Sequence, residues 1–257
     1  MRKNLRVMVF FIISFILNSC VSSMPKDMKQ VGVLHPQGKI GILVTQGDEM
    51  LAYDKTVGLG FASNIYLVPA PGLNKKIEKS LEASLHKAGI TNTQIIPITR
   101  VDSKRFFIRS KSNTTYIKQT LKEIIKENNL KSLVVVSRKN FGNLEYKTDT
   151  GPIPLLKMNS EKNYAAGVVI VKEAPFLTPH IYGRISFVAS NYFVDSQGKM
   201  EYSGFTRISY GDKIGEPQEL WKEKSAPSPS EVILIINRLK PLLDKSFENI
   251  SQKLKLQ

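Results

Sequence analysis

The chain has 257 residues, and its 37 Lys and Arg residues outnumber its 22 Asp and Glu residues, so its formal net charge is +15. Hydrophobic residues make up 42% of the chain, which is typical of a folded domain and excludes an intrinsically disordered one. The single cysteine excludes an intrachain disulfide framework and a thiolate-rich zinc site, and the single long apolar run excludes a multi-span membrane protein.

The chain begins with a segment typical of a secretory signal peptide. Arg2, Lys3 and Arg6 precede an almost uninterrupted apolar run over residues 7–17. A membrane-spanning helix needs about 20 apolar residues, whereas the apolar region of a signal peptide needs only about 7–15. We therefore expect residues 1–19 to be a signal peptide.

The end of this segment carries the only cysteine. Leu17, Ser19 and Cys20 resemble the lipobox of bacterial lipoproteins, in which an aliphatic residue and a small residue precede the cysteine. The resemblance implies that the thiol of Cys20 carries diacylglycerol, that the chain is cut before Cys20 and that the new amine is acylated. Two or three acyl chains anchor a protein stably, because each buried methylene contributes about 0.8 kcal/mol.

The resemblance also implies a location. In lipoproteins of this kind an aspartate after the cysteine favours the inner membrane, whereas Val21 follows it here. We therefore expect a protein held by its lipid in the outer membrane and facing the periplasm, with the inner membrane and the cell surface as alternatives. A plain secreted protein is the other hypothesis. Residues 20–30 are polar and predict a tether, and residues 31–257 predict a single domain.

The first part of the domain alternates strand and helix patterns. Residues 38–45, 94–98 and 132–137 predict strands, and Pro97 places the second of these at an edge or a strand end. A helix is predicted from the spacing of Leu73, Ile77, Leu81 and Leu85, with Gly89 after it. A second helix is predicted to begin near Asn113 and to stop at Asn128 and Asn129, and the connection over residues 46–71 contains a strand pair near residues 57–68.

The second part is dominated by strand patterns. Residues 143–147 and 167–172 predict strands, and residues 180–194 and 200–210 predict a hairpin across a short polar loop. A short helix is predicted over residues 217–222.

The last element is a long amphipathic helix. Ser228 and Glu231 have capping-box spacing with Pro229 at the first helical position, and apolar residues continue to Leu254. Pro241 removes one backbone hydrogen bond and should kink this helix.

These elements predict an α/β fold with a mixed sheet. The expected order is strand–helix–strand–helix–strand, then an antiparallel hairpin and the long C-terminal helix. This order resembles the α/β domain of several bacterial envelope proteins, namely the curli-secretion lipoproteins, the Tol-system propeller protein and the lipoproteins that activate peptidoglycan synthases.

A cluster of basic residues follows two of the predicted strands. Because loops after parallel strands meet at one edge of a sheet, we expect one basic rim there, made of Arg100, Lys104, Arg105, Arg109, Arg138 and Lys139. Such a rim would bind an anionic envelope polymer, a lipid headgroup or an acidic protein surface, and export excludes nucleic acid. The alternative is a lysine-rich solvated surface without a partner.

Motifs for catalysis or for cofactors are weak. Ser84 and Lys87 have a Ser-x-x-Lys spacing without the companion motifs of acyl-transferring enzymes. The three histidines have no metal-ligand spacing, so we predict no metal, no cofactor and no catalytic residue. Two proline-flanked apolar loops, residues 151–156 and 174–180, are candidate partner contacts.

We therefore expect a lipid-anchored envelope protein that acts by binding, as an assembly or accessory factor. One alternative is a periplasmic hydrolase of cell wall or lipid, whose triad would combine a serine and an aspartate with His86 or His180. The other is a secreted or surface adhesive protein.

Overall fold

The computed structural model describes residues 38–57, 62–106, 111–138, 145–148, 151–154, 167–173, 180–222 and 225–254. Predictions for residues 1–30, including Cys20, and for Arg109 and Lys139 lie outside these residues. The strands are β1 Ile40–Val44, β2 Glu49–Val57, β3 Ala62–Pro69, β4 Thr93–Ile96, β5 Ser132–Arg138, β6 Glu145–Thr148, β7 Gly151–Pro154, β8 Val168–Glu173, β9 His180–Val194 and β10 Met200–Gly215.

The helices alternate with the strands in the first part of the chain and end it. They are α1 Leu73–Lys87, α2 Lys111–Glu127, α3 Pro217–Leu220, α4 Pro229–Arg238 and α5 Lys240–Leu254. Two short 3₁₀ turns, Ile98–Arg100 and Ser103–Phe106, connect β4 to the segment before α2.

The long β9–β10 hairpin connects the two halves of an eight-stranded mixed sheet. β10 pairs with β9 from Ile181 to Val194 and so occupies one edge of β9. On the other edge, β8 pairs with residues 180–185 and β5 pairs with residues 187–193. β5 and β8 therefore meet end to end beside Ser186, at a place that we call the seam.

Two groups of three strands each pair with β9 through their first strand, β5 or β8. The first half of the sheet is β5, β1 and β4, all parallel. The second half is β8, β2 and β3, in which β2 is parallel to β8 and antiparallel to β3. The sheet order is β3-β2-β8-β9-β5-β1-β4, with β10 beside β9, so β4 lies at an edge, as Pro97 indicated.

Helices cover both faces of the first half. Alternate residues of a strand point to opposite faces. Ile42 and Val134 belong to the core that α1, α4 and α5 close, whereas Leu43 and Val135 belong to the core that α2 closes. This three-layer arrangement confirms the predicted α/β fold.

The local signals of the C-terminal helix are confirmed, with one change. The Ser228 hydroxyl accepts a hydrogen bond from the Glu231 amide, the Glu231 carboxylate accepts one from the Ser228 amide, and Pro229 begins α4. The sequence predicts one kinked helix, whereas the structure has two helices separated at Leu239. Pro241 has no amide hydrogen to bond the carbonyl of Asn237, which explains the interruption.

Several other boundaries differ from prediction, among them the start of α2 and the structure of residues 151–154. α2 begins at Lys111, two residues before the predicted cap at Asn113. Residues 151–154, predicted as part of an apolar loop, form β7, which pairs with β6 in a separate two-stranded sheet.

Candidate functional site

The exposed part of the predicted basic rim folds against α2. The Arg105 guanidinium lies 4.5 Å from the centre of the Tyr116 ring, and its Nε lies 3.2 Å from the Asp102 carboxylate. The Tyr116 hydroxyl accepts a hydrogen bond of 2.9 Å from the Asp102 amide. Exposed ion pairs contribute only about 0–1 kcal/mol, so Arg105 stays accessible to an anion. Lys104 lies in the same turn.

Arg100 lies at the other end of α2. Its guanidinium pairs with Glu127, the last residue of that helix. The next residue, Asn128, accepts a hydrogen bond from Gln94 near the beginning of β4. The turn after β4 thus folds back and directs Arg100 away from the strand ends where Arg138 lies. The structure does not bring these two arginines together in one rim.

Arg138 is a buried residue of the seam rather than a surface residue. Its side chain is 4% exposed, its Nη2 lies 2.5 Å from Glu49, and its Nε donates a 2.9 Å hydrogen bond to the Gln46 carbonyl. Burial lowers the pKa of the Arg138 guanidinium, and the Glu49 carboxylate opposes that shift. A guanidinium in this position stabilises the junction of strands and is not presented to a partner.

The seam is closely packed around Gly167, so a larger residue there would have to displace the Gln46 side chain. A Cβ there would lie 1.7 Å from Gln46 Oε1 and 3.0 Å from Arg138 Cγ. The Gly167 carbonyl accepts a hydrogen bond from the Ser186 amide.

A polar network continues the seam to the start of α1. Asn74 donates to Glu78 at 2.7 Å and accepts from the Gly47 amide at 3.1 Å. Burial raises the pKa of Glu78, the Asp48 carboxylate adds to the shift, and the Asn74 hydrogen bond opposes it. These contacts hold the β1–β2 connection against α1, so we assign the network a structural role.

An open groove lies between α2 and the turn of the β9–β10 hairpin. Its volume is about 660 Å³. Residues of two elements line it: Thr115, Lys118, Gln119, Lys122, Gln197, Gly198, Lys199 and Met200. Sequence patterns did not single out this groove, because Lys118 and Lys122 belong to a helix that is distant in sequence from the hairpin turn.

The hairpin turn is held in one conformation by Asp195. Its carboxylate accepts hydrogen bonds of 2.9 and 2.8 Å from the amides of Gln197 and Lys199. The Asp195 amide donates to the Lys199 carbonyl at 3.0 Å, and Gly198 takes a left-handed φ of 77° that favours glycine. The turn therefore presents Lys199 from a fixed backbone.

A shared hydrophobic core fixes the two walls of the groove relative to each other. Leu121 and Ile124 of α2 are buried with Leu133 and Val135 of β5. Side chains of the hairpin pack against the same core: Tyr192, Val194 and Met200. Burial also raises the pKa of Tyr192 to about 12, so this phenol stays neutral. The groove thus lies between two elements anchored in one core.

The charge of the groove is positive. Its eight lining residues include three lysines and no aspartate or glutamate. Lys118 and Lys122 are one helical turn apart on α2 and both are exposed. A hydrogen bond to Glu201, 2.5 Å away, raises the pKa of Lys199, which therefore stays charged at neutral pH. The groove presents cationic donors from both walls.

The two histidines in the described residues, His86 and His180, each make one side-chain hydrogen bond. His86 hydrogen-bonds the Thr93 hydroxyl at 2.9 Å, and His180 hydrogen-bonds the Glu216 carboxylate at the same distance. In the part of the chain that the structure describes, no three His, Cys, Asp or Glu residues are grouped to hold a metal. No described helix is both long and apolar enough to span a bilayer.

Comparisons with known proteins give distant structural neighbours. No protein-family model matches the chain, and no curated protein matches it. The PelC dodecamer of Paraburkholderia phytofirmans is 13% identical, with 84% of this chain and 94% of that chain covered and a TM-score of 0.31. The hypothetical protein CT253 of Chlamydia trachomatis is 8% identical, with coverage of 85% and 99% and a TM-score of 0.36.

A third neighbour is a homologue of the neuraminyllactose-binding hemagglutinin from Helicobacter pylori. It is 12% identical, with 90% of this chain and 89% of that chain covered and a TM-score of 0.30. Scores and identities this low carry no inference about the activity of the present chain.

Proposed function

We propose that this chain is a lipid-anchored protein of the bacterial cell envelope that acts by binding an anionic polymer. The observation that supports binding is the groove between α2 and the β9–β10 turn, which three lysines line without any acidic residue. We propose the outer membrane, on its periplasmic side, as the location.

The shape of the groove favours an extended ligand. Sites for small molecules enclose about 70–90% of the ligand surface. Here Lys118, Lys122 and Lys199 are all exposed. Exposed cations along an open groove suit a polymer that offers several negative charges and remains partly in water.

The exposed arginine beside α2 extends the same surface. Arg105 lies over Tyr116, one residue along the helix from Thr115 of the groove. A polymer in the groove would therefore meet the Arg105 guanidinium, with its partner Asp102, on the neighbouring flank of α2. Lys104 lies in the same turn. This surface replaces the predicted rim, because Arg138 is buried.

Charge reversal in the groove tests the binding proposal. The double variant Lys118→Glu, Lys122→Glu should bind heparin, used as a soluble anionic polysaccharide, about tenfold more weakly at low salt, since exposed charges are poorly screened there. The matched control is Lys75→Glu, Lys79→Glu, which makes the same charge change on α1. Equal weakening by both variants would show that net charge alone drives binding.

The anchor is tested separately. Radiolabelled palmitate should appear in the wild-type protein and be lost in Cys20→Ser, because the thiol is the proposed acceptor. Mass spectrometry should find a mature chain that begins with a lipid-modified Cys20. Equal labelling of the variant, or an unmodified thiol in the native protein, would contradict lipid attachment at Cys20. Neither result would bear on the proposal that the groove binds a polymer.

A further inference from the structure

Two adjacent aliphatic side chains on α4 are directed into solvent. Ile233 is 57% exposed and Leu234 is 48% exposed. Their neighbours Val232, Ile235 and Ile236 are buried, so α4 is already fixed to the core by its inner face. The exposed pair is therefore additional to what the fold requires.

The surface along the helix on either side of this pair is mostly uncharged. Positions three or four residues apart lie on one side of a helix. The exposed residues at such spacings from the pair are Pro229, Ser230, Asn237 and Arg238, and the half-exposed Glu231 lies three residues before Leu234. The pair is thus the centre of an aliphatic strip on the outer side of α4, with one charged residue at each end.

Three basic residues lie at the C-terminal end of the strip. Lys76 of α1 reaches across to Asn237, with 2.9 Å between its Nζ and the amide oxygen. Arg238 lies 3.8 Å from Glu219, and Lys240 is paired with Asp244 at 2.6 Å. The helices of this layer, α1, α4 and α5, carry eight Lys and Arg against five Asp and Glu.

One of those acidic groups, Glu78, is buried and does not face the solvent. Glu231 stays ionised at the start of α4, where both of its oxygens accept hydrogen bonds. Basic residues therefore remain in excess on the outward side of this layer.

We infer that the outer side of α4, centred on Ile233 and Leu234, docks on an anionic lipid surface. Interfacial membrane contacts combine apolar burial with attraction to anionic lipids. The excess of basic over acidic residues in the layer of α1, α4 and α5 is complementary to anionic headgroups.

The size of the strip also favours a lipid surface over a protein partner. A stable protein interface buries about 1,200–2,000 Å², which two aliphatic side chains do not approach. A bilayer needs no complementary shape, and it accepts a small insertion when another attraction holds the protein nearby.

Docking through α4 would orient the groove. The layer of α1, α4 and α5 covers one face of the sheet, and α2 covers the opposite face. With α4 on the lipid, the groove beside α2 opens away from the bilayer. This orientation is independent of whether the groove binds a polymer.

A fluorescent probe at each face tests the inference in the full chain. An environment-sensitive NBD label is attached at Ile233→Cys or, as the control, at Glu123→Cys on α2, both in a Cys20→Ser background. Vesicles of phosphatidylcholine and phosphatidylglycerol are the lipid. Because residues 7–17 are themselves apolar and bind membranes, the position of the probe is the readout rather than the amount of protein bound.

We expect a blue shift and a several-fold rise in emission from the probe at residue 233, with quenching by nitroxide-labelled lipids. The probe at residue 123 should show no change. Adding Leu234→Asp should abolish the response at residue 233, whereas Leu67→Asp, at another exposed leucine, should leave it intact. A probe at residue 233 that stays in water while the chain is bound, or equal responses at both positions, would overturn the inference. Loss of a dimer in light scattering on Leu234→Asp would also overturn it, in favour of a second copy.

Discussion

In the first half of the sheet, β1 and β5 lie between helices on both faces, and their inward side chains are mainly aliphatic. In the second half, Asp54 of β2 and Lys172 of β8 follow the aliphatic residues Ala52 and Ile170 on the face that α1, α4 and α5 cover. Asp54 is 0% exposed, the Lys172 side chain is 6% exposed, and Nζ lies 3.8 Å from the carboxylate.

The Asp54–Lys172 pair of the second half holds a neighbouring segment in place. The Lys172 ammonium is 5.1 Å from the centre of the Trp221 ring and donates to the Lys222 carbonyl at 3.5 Å. The Trp221 ring packs nearly perpendicular to the ring of Tyr66 of β3, with 6.4 Å between their centres. The second half thus uses buried polarity to attach the segment between α3 and α4, whereas the first half provides the rigid base of the groove.

Breaking the buried pair should give the largest loss of stability. Lys172→Met leaves Asp54 buried without this cation, and we expect about 3–5 kcal/mol less free energy of unfolding, measured in urea. The double variant Asp54→Leu, Lys172→Met should recover most of that loss, because neither charge of the pair then remains buried without its partner. A single variant as stable as the wild type would show that the pair does not secure this segment.

Breaking the seam should cost less. Arg138→Met leaves the Gln46 carbonyl and the Glu49 carboxylate without their donor, and hydrogen bonds to charged groups contribute about 1.5–3 kcal/mol. The control is Arg100→Met, which removes an exposed pair and should change the unfolding free energy by less than about 1 kcal/mol. Equal effects of both variants would contradict a special role for the seam.

The smallest effect concerns the start of α4 and depends on pH. Burial alone would raise the pKa of Glu231, but hydrogen bonds from the Lys222 amide and from Ser228 outweigh it and hold the pKa below its usual value of 4.5. A lowered pKa in the folded state gives stability that is complete above the unfolded pKa and is lost as pH falls through the folded pKa.

Glu231→Gln should therefore lower the unfolding free energy by less than about 1 kcal/mol at pH 7, as is typical of capping contacts. The difference from the wild type should shrink below about pH 4.5. Glu219→Gln serves as the control, since its carboxylate is exposed and 3.8 Å from Arg238. A difference that grows on acidification would contradict the assigned direction of the shift.

Local patterns predicted most of the elements because their causes are local. Leu73, Ile77, Leu81 and Leu85 recur at helical spacing, and all four are fully buried. The Ser228 capping box, the β9–β10 hairpin and the edge position of β4 likewise follow from neighbouring residues.

The seam and the groove were not predictable in the same way. In the sequence, Arg138 follows an apolar run and so resembles a surface residue. Its ion-pair partner, Glu49, is 89 positions away in the chain. The groove depends on how α2 packs beside a hairpin turn that is distant in sequence. Such juxtapositions arise from the pairing of β5 and β8 with one edge of β9, which no local pattern indicates.

Lysine footprinting with heparin bound would test the proposed binding surface most directly, since it needs no substitution. Acetylation of each lysine is measured by mass spectrometry with and without heparin, at low salt. We expect several-fold protection of Lys118, Lys122 and Lys199. Lys75 and Lys79 on α1 should show none. Equal protection of both sets, or protection of the α1 lysines alone, would contradict it.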